Sequence, residues 1–212
     1  KSYRKVIDDP ARMPGAKWFT GSRLNFSENL LRYRDEQTAL IFRGEDIVRR
    51  TLSYRELYSA VAKVSASLKK TGIVPGDRVC GFMPNMPESI IAMLAATSLG
   101  AVWSSCSPDF GVKGVLDRFG QTRPKVLFTA DGYYFKGKKI DSLARISDIV
   151  KEIPSIEQVV VVPYITENPD FAGMPAAMRY DDFCDNDAED IAFAQLPFDH
   201  PLYIMYSSGT TG

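Results

Sequence analysis

From residue 78 to residue 162, short apolar runs alternate with stretches of helical periodicity, and this alternation constrains the fold more than any other feature. We predict strands at 78–83, 101–106, 125–130 and 158–162, and helices at 87–99, 111–119 and 142–151. The run Val159-Val160-Val161-Val162 is typical of a strand buried on both faces. Strands that alternate with helices at this spacing need crossover connections. The sequence therefore predicts an α/β fold: a partial doubly wound, mostly parallel sheet with flanking helices.

Elements on either side of this region extend the pattern. We predict strands at 38–42 and 48–52 around a turn at 44–46, a short element at 180–183 and a last strand at 201–206. Ser53 is followed three residues later by Glu56, which is the signature of a capping box at a helix start. That helix should run to about Gly72, with Leu57 and Val61 on its buried face.

The segment 89–108 carries no charged residue, and its length would suffice to cross a bilayer. Gly100 divides it and several serines and threonines dilute it, so we interpret it as a buried helix followed by a buried strand. The N-terminus also lacks the apolar stretch of a signal peptide. We expect a cytoplasmic protein without membrane insertion.

Composition excludes several classes of function. The chain has 212 residues, and its 26 Lys+Arg balance its 26 Asp+Glu, so no excess of positive charge favours nucleic acid as a partner. The cysteines Cys80, Cys106 and Cys184 form no C-x-x-C pair, as expected of free thiols. The single histidine, His200, makes a hydrolase triad improbable, and we predict a structural role for it in a turn.

An acidic cluster lies between residues 181 and 190. It lacks the spacing of a calcium-binding loop, so we interpret it as a solvated surface and predict no metal site in the chain.

The chain ends with a segment of small and hydroxylated residues, which consists of Ser207, Ser208, Gly209, Thr210, Thr211 and Gly212. Small residues let successive backbone N–H groups point into one concavity, and the hydroxyl groups add donors for phosphate oxygens. The segment follows a predicted strand, so it should lie at the carboxyl edge of the sheet, where open α/β folds bind ligands. A flexible tail is the alternative for such a segment taken by itself.

Several stretches together resemble the adenylate-forming superfamily of acyl-CoA synthetases. Residues 206–212 resemble its phosphate loop, and residues 52–57 resemble its first core motif. Residues 18–31 resemble an N-terminal segment of its short-chain acyl-CoA synthetases. Residues 100–112, together with Val115-Leu116-Asp117-Arg118-Phe119 and 121–125, resemble the members that activate acetoacetate.

This resemblance implies a two-step ligase whose substrates are acetoacetate, ATP (with Mg²⁺) and CoA. It implies that Ser207 to Gly212 hold ATP phosphates. It also divides the chain into an N-terminal extension at 1–37 and an incomplete AMP-binding α/β domain at 38–212. No catalytic residue of the superfamily falls within these residues, so we expect the segment alone to be inactive.

A second binding site is implied less directly. Acetyl-CoA synthetases carry an Arg-Ala-Gly-Arg stretch that contacts CoA phosphates, and the aligned residues here are Phe135, Lys136, Gly137 and Lys138. Gly137 matches and Lys138 replaces an arginine, whereas Phe135 departs from the pattern. An exposed basic turn is the alternative for Lys136, Gly137 and Lys138.

Two other functions remain open from the sequence. One is a naturally truncated, non-catalytic interaction module with the same fold. The other is a ligase for a different acid. A dinucleotide-binding dehydrogenase is disfavoured, because no G-x-G-x-x-G follows the first strand of the sheet.

Overall fold

A computed structural model describes residues 2–45 and 48–207 of the chain. The helices are α1 (Phe26–Leu30), α2 (Tyr54–Lys70), α3 (Pro87–Ser98), α4 (Val112–Thr122), α5 (Leu143–Glu152) and α6 (Tyr180–Phe183). The strands are β1 (Lys5–Ile7), β2 (Trp18–Thr20), β3 (Arg23–Leu24), β4 (Thr38–Gly44), β5 (Val48–Ser53), β6 (Arg78–Phe82), β7 (Val102–Cys106), β8 (Val126–Ala130), β9 (Gly132–Phe135), β10 (Lys138–Asp141), β11 (Gln158–Val162), β12 (Ala177–Arg179), β13 (Leu196–Pro197) and β14 (Tyr203–Ile204).

The central sheet has six strands in the order β12-β11-β8-β6-β7-β14, and each neighbouring pair is parallel. The chain passes from β6 outward to β7 and then returns across β6 to β8, so the strand order reverses beside β6. This arrangement confirms the predicted α/β class and the parallel sheet.

Helices cover both faces of this sheet. One apolar cluster joins Phe128 and Val160 of the strands to α2 and α3, whereas a second joins Leu127 and Val161 to α4 and α5. Neighbouring residues of one strand point to opposite faces, which explains why the valine run of β11 is buried throughout. The sheet is therefore doubly wound, as the sequence predicts.

The start of α2 is fixed by the predicted capping box. Ser53 Oγ accepts a hydrogen bond from the backbone N–H of Glu56 at 3.2 Å, and Glu56 Oε2 accepts one from the N–H of Ser53 at 2.7 Å. Two backbone donors that would otherwise lack a partner are satisfied, so α2 begins at one defined residue.

The uncharged segment 89–108 forms most of α3 and all of β7, and most residues of these two elements are buried. The prediction of a buried helix followed by a buried strand is confirmed. Within the described part of the chain, no helix combines the length and apolar character that a membrane span needs.

The N-terminal residues form short strands that pair with one another and with a distant segment of the chain. β1 pairs with β2, and β3 pairs with β13 from the other end of the chain. Asn25 caps α1 and also donates to the carbonyl oxygens of Thr97, Ser98 and Ala194 at 2.9–3.1 Å. One buried amide side chain thus anchors the N-terminal residues to the end of α3.

The last strand is shorter than the predicted 201–206, because β14 comprises Tyr203 and Ile204 alone. Pro201 has no N–H for a ladder, and within the described residues β14 has β7 as its single neighbour in the sheet. The predicted short element at 180–183 is present as α6.

Candidate functional site

A cleft of about 680 Å³ lies beside the carboxyl ends of β7 and β14. The register pairs Tyr203 with Trp103 and Ile204 with Ser104, so both strands end side by side. The described residues that line the cleft are Met93, Trp103, Ser105, Cys106, Ser107, Phe110, Arg118, Tyr203, Ile204, Met205, Tyr206 and Ser207. Its volume is that of a small-molecule site, and its position is where parallel α/β sheets bind ligands.

Ser104 links the two strands beneath this cleft. Its Oγ lies 3.1 Å from the carbonyl oxygen of Ile204 and 3.0 Å from the hydroxyl of Tyr206. Burial raises the pKa of Tyr206, against the opposing effect of the Ser104 hydroxyl. The phenol is therefore neutral at physiological pH and orients the chain just before residue 207.

Arg118 projects from α4 between two aromatic rings. Its guanidinium carbon lies 4.4 Å from the ring centre of Phe110 and 5.4 Å from that of Tyr206. Nη1 donates to the carbonyl oxygen of Gly114 at 2.7 Å. No carboxylate among the residues that the structure describes lies within salt-bridge distance of this arginine.

The thiol of Cys106 forms part of the same wall. Burial raises its pKa to about 11, although the nearby positive charge of Arg118 opposes the shift. Cys80, on the neighbouring strand, is fully enclosed, and burial raises its pKa well above the usual value. Both cysteines are protonated at neutral pH, so neither has the thiolate character of a nucleophile.

The predicted phosphate loop begins at the mouth of this cleft. Ser207 lines the cleft and is exposed, whereas Ser208, Gly209, Thr210, Thr211 and Gly212 lie outside the described residues. The assignment of these six residues to ATP phosphates stays a prediction.

The predicted CoA-contacting residues form the tip of the β9–β10 hairpin. Lys136 and Gly137 both have positive φ angles, 52° and 73°, as a tight two-residue hairpin turn requires. Their backbone N–H groups donate to the carboxylate of Glu45 at 2.9 and 2.8 Å. The side chains of Lys136 and Lys138 are exposed. Gly137 thus has a conformational role, and a phosphate could reach the lysine ammonium groups but would have to displace Glu45 from the amides.

The histidine and the acidic cluster discussed in the sequence make contacts that stabilise the fold. Nε2 of His200 lies 2.8 Å from the carbonyl oxygen of Gly100, which ties the segment before β14 to the turn after α3. In the acidic cluster, Asp185 pairs with Lys70 at 2.8 Å. Across residues 2–45 and 48–207, no three potential ligands of His, Cys, Asp or Glu type are grouped as a metal ion would need.

Sequence reasoning assigned no role to Arg118, Phe110 or Tyr206. All three lie in or beside the stretches that carry the family resemblance, so their positions were available in the sequence. The contact between them could not be predicted from the sequence, because it depends on how α4 packs against the segment that follows β14.

Comparison with known proteins gives a consistent result. A family model described as AMP-binding enzyme matches residues 26–212. An acetoacetyl-coenzyme A synthetase from Rhizobium meliloti (strain 1021) is 46% identical over 214 residues, which cover 100% of this chain and 33% of the relative. A malonamoyl-CoA synthetase from Penicillium aethiopicum is 36% identical over 226 residues, which cover 100% of this chain and 31% of the relative.

A solved structure is similar to this chain in both fold and sequence. The acetoacetyl-CoA synthetase from Streptomyces lividans superposes with a TM-score of 0.90 at 42% identity, and the match covers 100% of this chain and 32% of that one. The chain thus spans about a third of the length of the relatives it matches.

Proposed function

The chain belongs to the AMP-binding enzyme family, and we propose that it forms the N-terminal third of an ATP-dependent acid–CoA ligase. The observation that carries this proposal is identity of 46% along the whole chain to an acetoacetyl-coenzyme A synthetase. The cleft at the ends of β7 and β14 supports it, because the proposed phosphate loop begins at its mouth.

The proposed reaction has two steps. A carboxylate oxygen of the acid attacks the α-phosphorus of MgATP. The bond between that phosphorus and the oxygen that bridges to the β-phosphate breaks, so pyrophosphate departs and an acyl-adenylate remains. The sulfur of CoA then attacks the acyl carbon, AMP leaves, and the thiol proton passes to solvent. In this scheme Ser207 to Gly212 hold the β- and γ-phosphates and orient the leaving pyrophosphate, a positioning role typical of phosphoryl chemistry.

We propose acetoacetate as the acid. The relatives named acetoacetyl-CoA synthetase and malonamoyl-CoA synthetase share an acyl group with a carbonyl at the β-carbon, and the two groups differ in a methyl against an amide nitrogen. A site for short acids with a β-carbonyl accounts for both. Acetoacetate is preferred here because its ligases are the more similar relatives.

Several further features belong to the proposal. Residues 1–37 act as an extension packed on an AMP-binding domain at 38–212, through contacts such as those of Asn25. Lys136 and Lys138 contact a CoA phosphate through their exposed ammonium groups, and Gly137 gives the turn the conformation that presents them. A reducing, cytosolic setting suits the three free cysteines.

The alternative of a self-sufficient interaction module is less well supported. Met205, directly after β14, is 84% exposed, and β14 lies at the edge of the sheet. Among the described strands β14 has a neighbour on one side alone, and the unpaired N–H and C=O groups of such an edge are a surface that additional protein would cover. It fits a domain completed by further chain better than a finished module.

The proposal is tested by measuring thioester formation by a protein that contains both this chain and the further segments present in its relatives. Acetoacetate, malonamate, acetate and butyrate should be compared at equal concentrations, with AMP and pyrophosphate measured as products. We expect acetoacetate to have the highest kcat/KM and residues 1–212 alone to show no turnover. Preference for acetate or butyrate would overturn the acid assignment, and absence of AMP formation with every acid would overturn the ligase.

A further inference from the structure

Arg118 is the single charged residue among the described residues that line the 680 Å³ cleft. The remainder of that lining consists of apolar and aromatic side chains, hydroxyl groups and the neutral thiol of Cys106. A charge in such a wall attracts ligands of the opposite sign, and no carboxylate among the described residues lies within salt-bridge distance of it.

The arginine is also held in a fixed orientation. Phe110 and Tyr206 flank the guanidinium, and Gly114 accepts one hydrogen bond from Nη1. Within the described residues Gly114 is the one hydrogen-bond acceptor of the guanidinium, so its other N–H groups can donate to a ligand. Such an arrangement lowers the entropy lost on binding, and the planar fork matches the oxygens of a phosphate.

The position of the arginine suggests which part of a substrate it meets. Tyr206, one of its two aromatic neighbours, directly precedes the segment 207–212. The hydroxyl group of Ser105 lines the same cleft and adds a donor that suits phosphate oxygens, whereas that of Ser107 donates to the carboxylate of Asp109 at 3.2 Å.

We propose that Arg118 is a phosphate-binding residue of this cleft. The inference rests on the proposed ligase function and adds a residue that carries full positive charge to the hydroxyl groups that line the cleft. ATP and CoA both bear phosphate groups, and the experiment below separates these two sources.

The variants Arg118→Gln and Arg118→Lys should be compared with the parent enzyme. Lys113→Gln is the matched control, because it removes an exposed positive charge from the same helix. ATP–pyrophosphate exchange driven by acetoacetate, without CoA, reports on ATP. Thioester formation at saturating ATP reports on CoA.

We expect Arg118→Gln to raise the KM of one of the two phosphate-bearing substrates by about tenfold or more, while kcat changes less. This is the pattern expected when an interaction present in both the ground state and the transition state is lost. Arg118→Lys should recover part of that loss, since it keeps the charge. A raised KM in the exchange assay assigns the phosphate to ATP, and a raised KM for CoA alone assigns it to CoA.

Unchanged KM values for both substrates in Arg118→Gln, with normal exchange by the parent enzyme, would overturn the role of Arg118 and leave the ligase intact. Equal losses in the Gln and Lys variants, with lowered thermal midpoints, would show that the arginine acts through packing and would also overturn it. A parent enzyme without exchange activity would instead refute the proposed function itself.

Discussion

Nη1 of Arg50 lies 2.6 Å from Oε1 of Glu88, and this contact joins the β4–β5 hairpin to the first turn of α3. The Glu88 side chain is 6% exposed and that of Arg50 is 41% exposed. Glu88 therefore depends on Arg50 for a polar partner, whereas the Arg50 guanidinium is also reached by solvent. Within the described residues, Oε2 of Glu88 has no hydrogen-bond partner. The hairpin therefore supplies much of the compensation for a buried negative charge.

Replacement of Arg50 with Gln should destabilise the protein by about 1–3 kcal/mol, because it leaves a buried acceptor poorly satisfied. Urea unfolding measures this change. The double variant Arg50→Gln/Glu88→Gln should lose less than the sum of the two single variants, since the second change removes the buried charge. Additive losses would contradict the proposed coupling.

The amide of Asn25 makes the second testable connection. Asn25→Ala should cost about 1–3 kcal/mol, because it removes an N-cap and the hydrogen bonds that the amide donates to three carbonyl groups, two of which keep a backbone donor. Asn25→Asp should be worse at neutral pH, because it places a carboxylate against the carbonyl oxygens of Thr97, Ser98 and Ala194. Thermal unfolding at pH 7 gives the ranking, and an Asp variant as stable as the parent would refute this role.

Cys106 provides a prediction about pH. Because burial raises the pKa of Cys106 to about 11, only about a thousandth of this thiol is ionised at pH 8. Its alkylation by iodoacetamide should rise about tenfold for each pH unit from 7 to 9 and reach no plateau in that range. Mass spectrometry of the labelled peptide follows the rate.

The control for this measurement is the protein unfolded in urea, where the thiol should titrate near its ordinary pKa of about 8.5. A plateau near that pH in the folded protein would show that the thiol is more open to solvent than the structure indicates.

Two glycines should respond oppositely to the same change. A Cβ on Gly132 would overlap the backbone carbonyl of Ile140 and the side chain of Ile165, so Gly132→Ala should lower the unfolding midpoint. Gly120 lies within α4 with open space around it, so Gly120→Ala should stabilise by up to about 1 kcal/mol. Urea unfolding of both variants tests the prediction, and equal effects of one sign would contradict it.

Local patterns in the sequence predicted most of the central fold. Apolar runs such as Val159 to Val162 indicated buried strands, and Ser53 with Glu56 placed the start of α2. These features succeed because their causes lie within a few neighbouring residues. Asn25 followed by Glu28 is a comparable helix-start signal, so α1 was also open to prediction.

Features that depend on distant contacts could not be predicted in this way. The position of β8 between β11 and β6 and the pairing of β3 with β13 arise from the packing of whole elements. The same holds for Arg118, whose aromatic neighbours come from the loop before α4 and from the segment after β14. The phosphate loop was predicted from its sequence alone, and it stays a prediction for binding experiments.

We propose that residues 207–212 bind the phosphates of ATP. The direct measurement is the Kd of ATP, by calorimetry, for the enzyme that carries this chain and for its variant Ser208→Ala/Thr210→Ala/Thr211→Ala, with AMP as the control ligand. Removal of the hydroxyl donors should weaken ATP binding by about tenfold or more and leave AMP binding nearly unchanged, because AMP lacks the β- and γ-phosphates. An unchanged Kd for ATP would contradict the claim.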